Sequence, residues 1–141
     1  LCLFFSTSLF AQKTKEVTAI KAVKVDALNR DHDLDAYMSC FAKSDKVQVG
    51  PSNDKMTIGY EAIKANGEQV IRGYDGRENQ TLDILGLDIR VNKKTAFATC
   101  LQATKTAQGT FIDVFKSDYL ENIKGEWKIV DHRYFRAAER D

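Results

Sequence analysis

The 141-residue chain reads as one α+β domain, with three N-terminal helices packed on one face of a strongly bent antiparallel sheet. Three observations predict this. Two period-two runs, Phe111–Ile123 and Trp127–Phe135, flank a Lys124-Gly125-Glu126 turn and form a long antiparallel hairpin. A second pair of runs, Leu82–Val91 and Thr95–Thr104, is joined by the tight turn Asn92-Lys93-Lys94. The residues ahead of these ribbons repeat mostly at helical spacing and supply the second layer that strand pairs need, because two-stranded ribbons are marginal alone.

In order along the chain, residues 1–11 are apolar, uncharged and too short to span a bilayer. They read as the apolar core and cleavage end of a secretory signal cut after Ala11, leaving residues 12–141 as the domain; the alternative is a buried N-terminal strand. Val17, Ile20, Lys24, Ala27 and Leu28 recur at helical spacing and predict a first helix over 15–30, broken by Asn29-Arg30-Asp31-His32. Asp33 is placed to cap a second helix whose stripe is Leu34, Tyr37, Met38 and Phe41. Lys46-Val47-Gln48-Val49 alternates as a short strand ended by Gly50-Pro51. A third helix opens at Tyr60 and runs to about Tyr74, with Gly67 expected to make its middle irregular. Asp75-Gly76-Arg77-Glu78-Asn79 reads as a turn before the long strands.

With Lys93 and Lys94 at the turn's centre, Asn92 faces Thr95 and Val91 faces Ala96. That register places Leu85, Leu87, Ile89 and Val91 beside Ala96, Ala98, Cys100 and Gln102 on one face, and Ile112, Val114, Lys116, Asp118 and Leu120 alternate likewise on the next strand.

Composition excludes several roles. Twenty-one basic against 20 acidic residues leave a net charge of +1, and the lysines are scattered, which argues against nucleic acid. No cysteine or histidine spacing suits a metal, and no cofactor is expected. No membrane role is expected once the signal is removed. Cys40 and Cys100 form either a disulfide of an oxidising compartment or two buried thiols.

Four local patterns resemble the nuclear-transport-factor-2-like superfamily, the cone fold shared by SnoaL-like proteins and ketosteroid isomerases. They are Asp35-Ala36-Tyr37-Met38-Ser39-Cys40-Phe41-Ala42, Gly59-Tyr60-Glu61-Ala62-Ile63, Asn92-Lys93-Lys94-Thr95-Ala96-Phe97-Ala98-Thr99 and Gly125-Glu126-Trp127-Lys128-Ile129-Val130. The likeness covers about residues 16–136, and fold does not fix activity. The resemblance implies a pocket between helices and sheet. With the register above, its apolar lining is expected to be Leu87, Ile89, Ala98, Cys100, Val114 and Val130, and its polar groups Gln102, Lys116, Asp118, His132 and Tyr134. The last strand is read with Val130, His132 and Tyr134 pointing opposite to Trp127 and Ile129.

Within that set, His132 beside Asp118 forms a candidate general base with its orienting carboxylate, and Tyr134 a hydrogen-bond donor. Gln102, Lys116, Tyr37, Val130 and Cys100 are candidate ligand contacts. Two bland alternatives stand beside this: His132 as a core histidine, and Asp118 paired simply with Lys116. The family's enzymes carry further groups that are replaced here. Val49 stands where ketosteroid isomerases place a base aspartate, and His132-Arg133-Tyr134 replaces the His-x-Asp of polyketide cyclases. The leading expectation is therefore a secreted or periplasmic domain that binds a small apolar molecule. The alternatives are a SnoaL-like isomerase, cyclase or hydrolase using His132 with Asp118, and a purely structural dimer. The other sheet face, with Phe97, Leu101, Phe115, Tyr119, Trp127 and Ile129, is too apolar for a monomer and is expected to form a homodimer.

Overall fold

A computed structural model describes residues 3–27, 33–72 and 81–136. Helix α1 spans Leu3–Asp26, so it starts ahead of the expected residue 15 and runs unbroken through Ala11, helical rather than extended. The predicted breaker at residues 29–32 and turn at residues 75–79 lie outside the described residues. Helix α2, Leu34–Ser39, is capped as expected: Asp33 accepts from the Ala36 amide at 2.9 Å and satisfies a donor the first turn leaves free. Helix α3 spans Tyr60–Arg72 without the irregularity expected at Gly67. A Cβ at this point would stand 2.7 Å from Leu34 Cδ1 of α2, so the end of that side chain would have to shift.

The strands are β1 (Gln48–Pro51), β2 (Thr57–Ile58), β3 (Thr81–Asn92), β4 (Thr95–Thr106), β5 (Gly109–Ile123) and β6 (Glu126–Arg136), in the sheet order β2-β1-β6-β5-β4-β3. The four long strands are antiparallel neighbours, whereas β1 lies parallel to β6. The result is a curved, unclosed mixed sheet with the helices on its concave face. Gly50 and Pro51 belong to β1 instead of ending it. Strand β2 pairs only with Gln48 and Val49, so Pro51 lies at a free edge where its missing N–H costs nothing.

The first tight turn forms as predicted, with Asn92 opposite Thr95, and the last is one residue tighter than predicted: Lys124 and Gly125, at φ 53° and 90°, are its two-residue loop, while Glu126 already pairs with Ile123. Three β-bulges then alter which residues share a face. In β3 the pairing steps from Leu85↔Leu101 to Asp88↔Thr99 across Gly86, whose φ is 58°. Ile84, not Leu85, therefore lies opposite Gln102. In β5 the step between Gln102↔Val114 and Ala103↔Ile112 leaves Asp113 extra, so Ile112 leaves the concave face. In β6 Val130 is the extra residue between Leu120↔Ile129 and Asp118↔His132.

The last bulge corrects the expected parity. Trp127 and Ile129 share the concave face with His132 and Tyr134 and are buried, so they do not belong to the outer patch. The core beneath the helices holds Ile20 from α1, Tyr37, Met38 and Phe41 from α2 and its exit, Ile63 from α3, and Ala96, Ala98, Leu120, Trp127 and Ile129 from the sheet. Phe41 is tied to β6 by two backbone hydrogen bonds beside it, Ile129 N–H to Cys40 O at 2.7 Å and Ala42 N–H to Ile129 O at 2.9 Å.

Candidate functional site

Cross-strand partners share a face, so the concave surface can be followed in rows. Val91, Ala96, Leu120 and Ile129 form a row sealed under the helices. The next row is Ile89, Ala98, Asp118, His132 and Val49. Beyond it come Cys100, Lys116 and Tyr134, and then Ile84, Gln102 and Val114. Burial loosens along this direction: Lys116, Tyr134, Gln102 and Val114 are half-buried. The second row is where the dry interior meets the open half of the sheet.

Asp118 sits at that boundary, 1% exposed, with its carboxylate oxygens divided between two partners. His132 Nδ1 meets Oδ1, and Lys24 Nζ, reaching down from α1, meets Oδ2. Lys24 is 3% exposed and His132 7% exposed, so the three groups form a chain shielded from water. The alternative pairing of Asp118 with Lys116 does not form. Lys24 takes that place, and Lys116 stands one row away with its charge felt at His132.

The electrostatics follow from this geometry. Burial by itself would raise the carboxyl pKa of Asp118, but His132 and Lys24 together outweigh it and bring it from 3.8 to about 2. Burial lowers the pKa of His132. Asp118 opposes that shift, while Lys116 and Lys24 reinforce it. At neutral pH the imidazole is therefore uncharged, and Lys24 is the cation facing the carboxylate. An ionised carboxylate only accepts hydrogen bonds, so the ring proton must lie on Nδ1. Nε2 is then the lone-pair nitrogen, in the arrangement that lets a histidine take up a proton.

Aromatic rings hold the imidazole in place. Tyr37 packs edge-on to Phe41 with centroids 4.8 Å apart, Phe41 packs edge-on to His132 at 6.4 Å, and the Tyr134 ring lies tilted 6.2 Å from His132. Of the residues singled out from sequence, His132, Asp118 and Tyr134 are thus brought together. Tyr37 is a buried wall two rings away. Cys100 is buried beside Lys116, and Gln102 lies a row further out. Val130 is the bulge residue, not part of the lining row. Cys40 and Cys100 are both buried and are not joined in a disulfide, and no metal-binding cluster occurs among the described residues.

Sequence reasoning missed Lys24 as a site residue. Its signal was present: a lysine on the apolar stripe of α1, one turn after Ile20, is a cation pointed into the core and needs a partner.

A groove of about 530 Å³ opens between α1 and β3, bordered by Val17, Lys21 and Val25 on one side and by Leu82, Asp83, Ile84, Leu87 and Ile89 on the other. Leu87 and Ile89 were expected to line a pocket; Ala98 is instead fully buried. Ile89 shares its row with Asp118 and His132, so the groove reaches the edge of the site. No helix among the described residues is long and apolar enough to cross a membrane.

A family model described as a SnoaL-like domain matches residues 23–134. Among solved structures, a Mycobacterium tuberculosis protein of unknown function superposes with a TM-score of 0.73 at 19% identity, covering 91% of this chain and 75% of that one. A Nostoc punctiforme protein of unknown function with a cystatin-like fold gives 0.70 at 13% identity over 86% and 91% of the two chains. A nuclear-transport-factor-2-like protein of unknown function from Pseudomonas putida gives 0.69 at 15% identity over 89% and 86%. No curated protein sequence matches the chain. At these identities the structures speak for the fold alone, while the family model spans most of the sequence. The chain belongs to the SnoaL-like domain family, and its fold is shared with a nuclear-transport-factor-2-like protein of solved structure.

Proposed function

We propose that this domain binds a small apolar molecule on the open half of its concave face and exchanges a proton with it through Nε2 of His132. The observation that carries this reading is the buried chain Lys24–Asp118–His132. Three ionisable groups in a core that apolar residues could fill are costly to desolvate, and such clusters concentrate where chemistry needs them. Tyr134, Lys116 and Gln102, half-buried beyond His132, would orient a carbonyl or hydroxyl oxygen of the ligand. The groove beside Ile89 is the route by which an apolar molecule would enter.

The reaction class that fits is proton abstraction leading to isomerisation, cyclisation or loss of water. Two structural neighbours, from Streptomyces avermitilis and Novosphingobium aromaticivorans, are provisionally named dehydratases, which is in keeping with such a step. Binding without turnover is the second reading, favoured by the low exposure of His132. The apolar, uncharged residues 1–11 support a secreted or periplasmic location. The outer sheet face supports a homodimer.

Native mass spectrometry of the chain after exposure to a small-molecule cell extract tests the reading. It predicts capture of one apolar compound. Turnover of that compound should fall by about 100-fold to 10,000-fold in His132→Ala, the usual contribution of a general base. Unchanged turnover removes His132 from the chemistry. Capture with no turnover selects the binding role, and no capture at all refutes both.

A further inference from the structure

We propose that Lys24 is a positioning residue: by holding Asp118 ionised it fixes the His132 imidazole as the Nδ1–H tautomer and so creates the proton acceptor at Nε2. The inference rests on the reading of His132 as that acceptor and names what sustains it. Asp118 is 1% exposed, and its cross-strand partner Ala98 and its strand neighbour Leu120 are fully buried. A carboxyl group alone in such surroundings keeps its proton, because a bare charge there has no solvation. At neutral pH the uncharged imidazole on Oδ1 supplies a hydrogen bond, and its positive charge acts on Asp118 only in acid, once the ring is protonated. Lys116 faces the same site from β5 yet belongs to the next row. Among the described residues, the cation in contact with Asp118 is Lys24, on Oδ2.

Removing that cation has a definite chemical consequence. Asp118 takes one proton from solvent, and its O–H turns to donate to Nδ1. The ring proton must then leave Nδ1 and appear on Nε2, since a neutral imidazole carries one proton and Nδ1 has become the acceptor. The net charge of the site stays at zero, and no bond other than these N–H and O–H bonds changes. Nε2, however, has become a donor. The same three residues would persist at almost the same positions with the base function inverted. This differs from a purely structural ion pair, whose loss would lower stability and leave the tautomer alone.

The tautomer can be read without any substrate. Long-range ¹H–¹⁵N correlation spectra of histidine-labelled protein distinguish Nδ1–H from Nε2–H, and His132→Gln assigns the signal between the two histidines of the chain. The wild type at pH 7 should show Nδ1–H, with the Asp118 carboxyl carbon at its ionised shift. Lys24→Met should show Nε2–H, and Lys24→Arg should restore Nδ1–H. A Lys24→Met protein with a native amide spectrum and an unchanged Nδ1–H overturns the proposal. So does a wild type in which Asp118 is protonated or His132 carries its proton on Nε2, and that measurement needs no variant to fold. Either failure leaves the turnover test of His132→Ala untouched, so the two readings fall separately.

Discussion

Acid should unfold this protein through Asp118, and by an amount the structure sets. The carboxyl pKa falls from 3.8 to about 2 in the folded chain. Because the folded value lies below the unfolded one, acidification protonates the unfolded chain first. The stabilisation from Asp118 is complete above about pH 5 and drains away as the pH falls to about 2. At about 1.4 kcal/mol per pH unit, the drop corresponds to about 2 kcal/mol. Asp118 is fully enclosed, so solvent does not screen this figure. His132 adds to the loss at higher pH. Its folded pKa is also lowered, so the unfolded chain protonates first from about pH 6.5 downward and stability decreases on the same side. Urea midpoints measured from pH 7 to pH 2 provide the assay. The reference is Lys24→Met/Asp118→Asn, which keeps the side-chain volumes and removes both charges. The difference in stability between wild type and reference should shrink by about 2 kcal/mol between pH 5 and pH 2. A difference that stays constant over that interval refutes the reasoning.

Two further outcomes are expected elsewhere in the fold. Gly67→Ala gains helix propensity of about 1 kcal/mol, but its Cβ would meet Leu34 Cδ1 at 2.7 Å, so the gain should be lost in the wild-type background and return in Leu34→Ala. Equal effects in the two backgrounds, measured by chemical denaturation, would show that the contact does not matter. On the outer face, Leu85, Leu101, Phe115 and Phe135 form one apolar row across four strands, with the Phe115 and Phe135 rings 6.0 Å apart. We expect this row to mediate self-association, so Phe115→Arg should shift the sedimentation of the chain from dimer to monomer. A wild type that sediments as a monomer rules this out.

Much of the architecture was readable because it depends on short-range signals. The Asp33 cap, the helical stripe of α2, the two-residue turns and the alternation of the long strands are all decided by residues within a few positions of one another. Face assignments were less secure, since a single extra residue inverts everything beyond it. The bulge in β3 carries a local sign, a glycine inside a strand that adopts φ 58°. Asp113 and Val130 carry none: an aspartate and a valine in a strand look ordinary. Trp127 and Ile129 were placed on the wrong face for this reason. Continued strictly from the final turn, the alternation would set Asp131, not His132, opposite Asp118. The Val130 bulge is what delivers the histidine.

The sequence by itself determined the class of fold, the order of its helices and long strands and the identity of two of the three groups in the buried chain. Periodicity, turn chemistry and the scarcity of ionisable residues in apolar strands are properties of neighbours along the chain. The partner of Asp118 was decided only in three dimensions. Lys24 precedes it by 94 positions, and although its place on the apolar stripe of α1 marks it as a cation in need of a partner, nothing in the sequence says that the partner is Asp118, which has Lys116 two residues away. What selects Lys24 is the crossing of α1 over the sheet, which buries that one ammonium against the carboxylate, where the cost of leaving either charge alone is greatest.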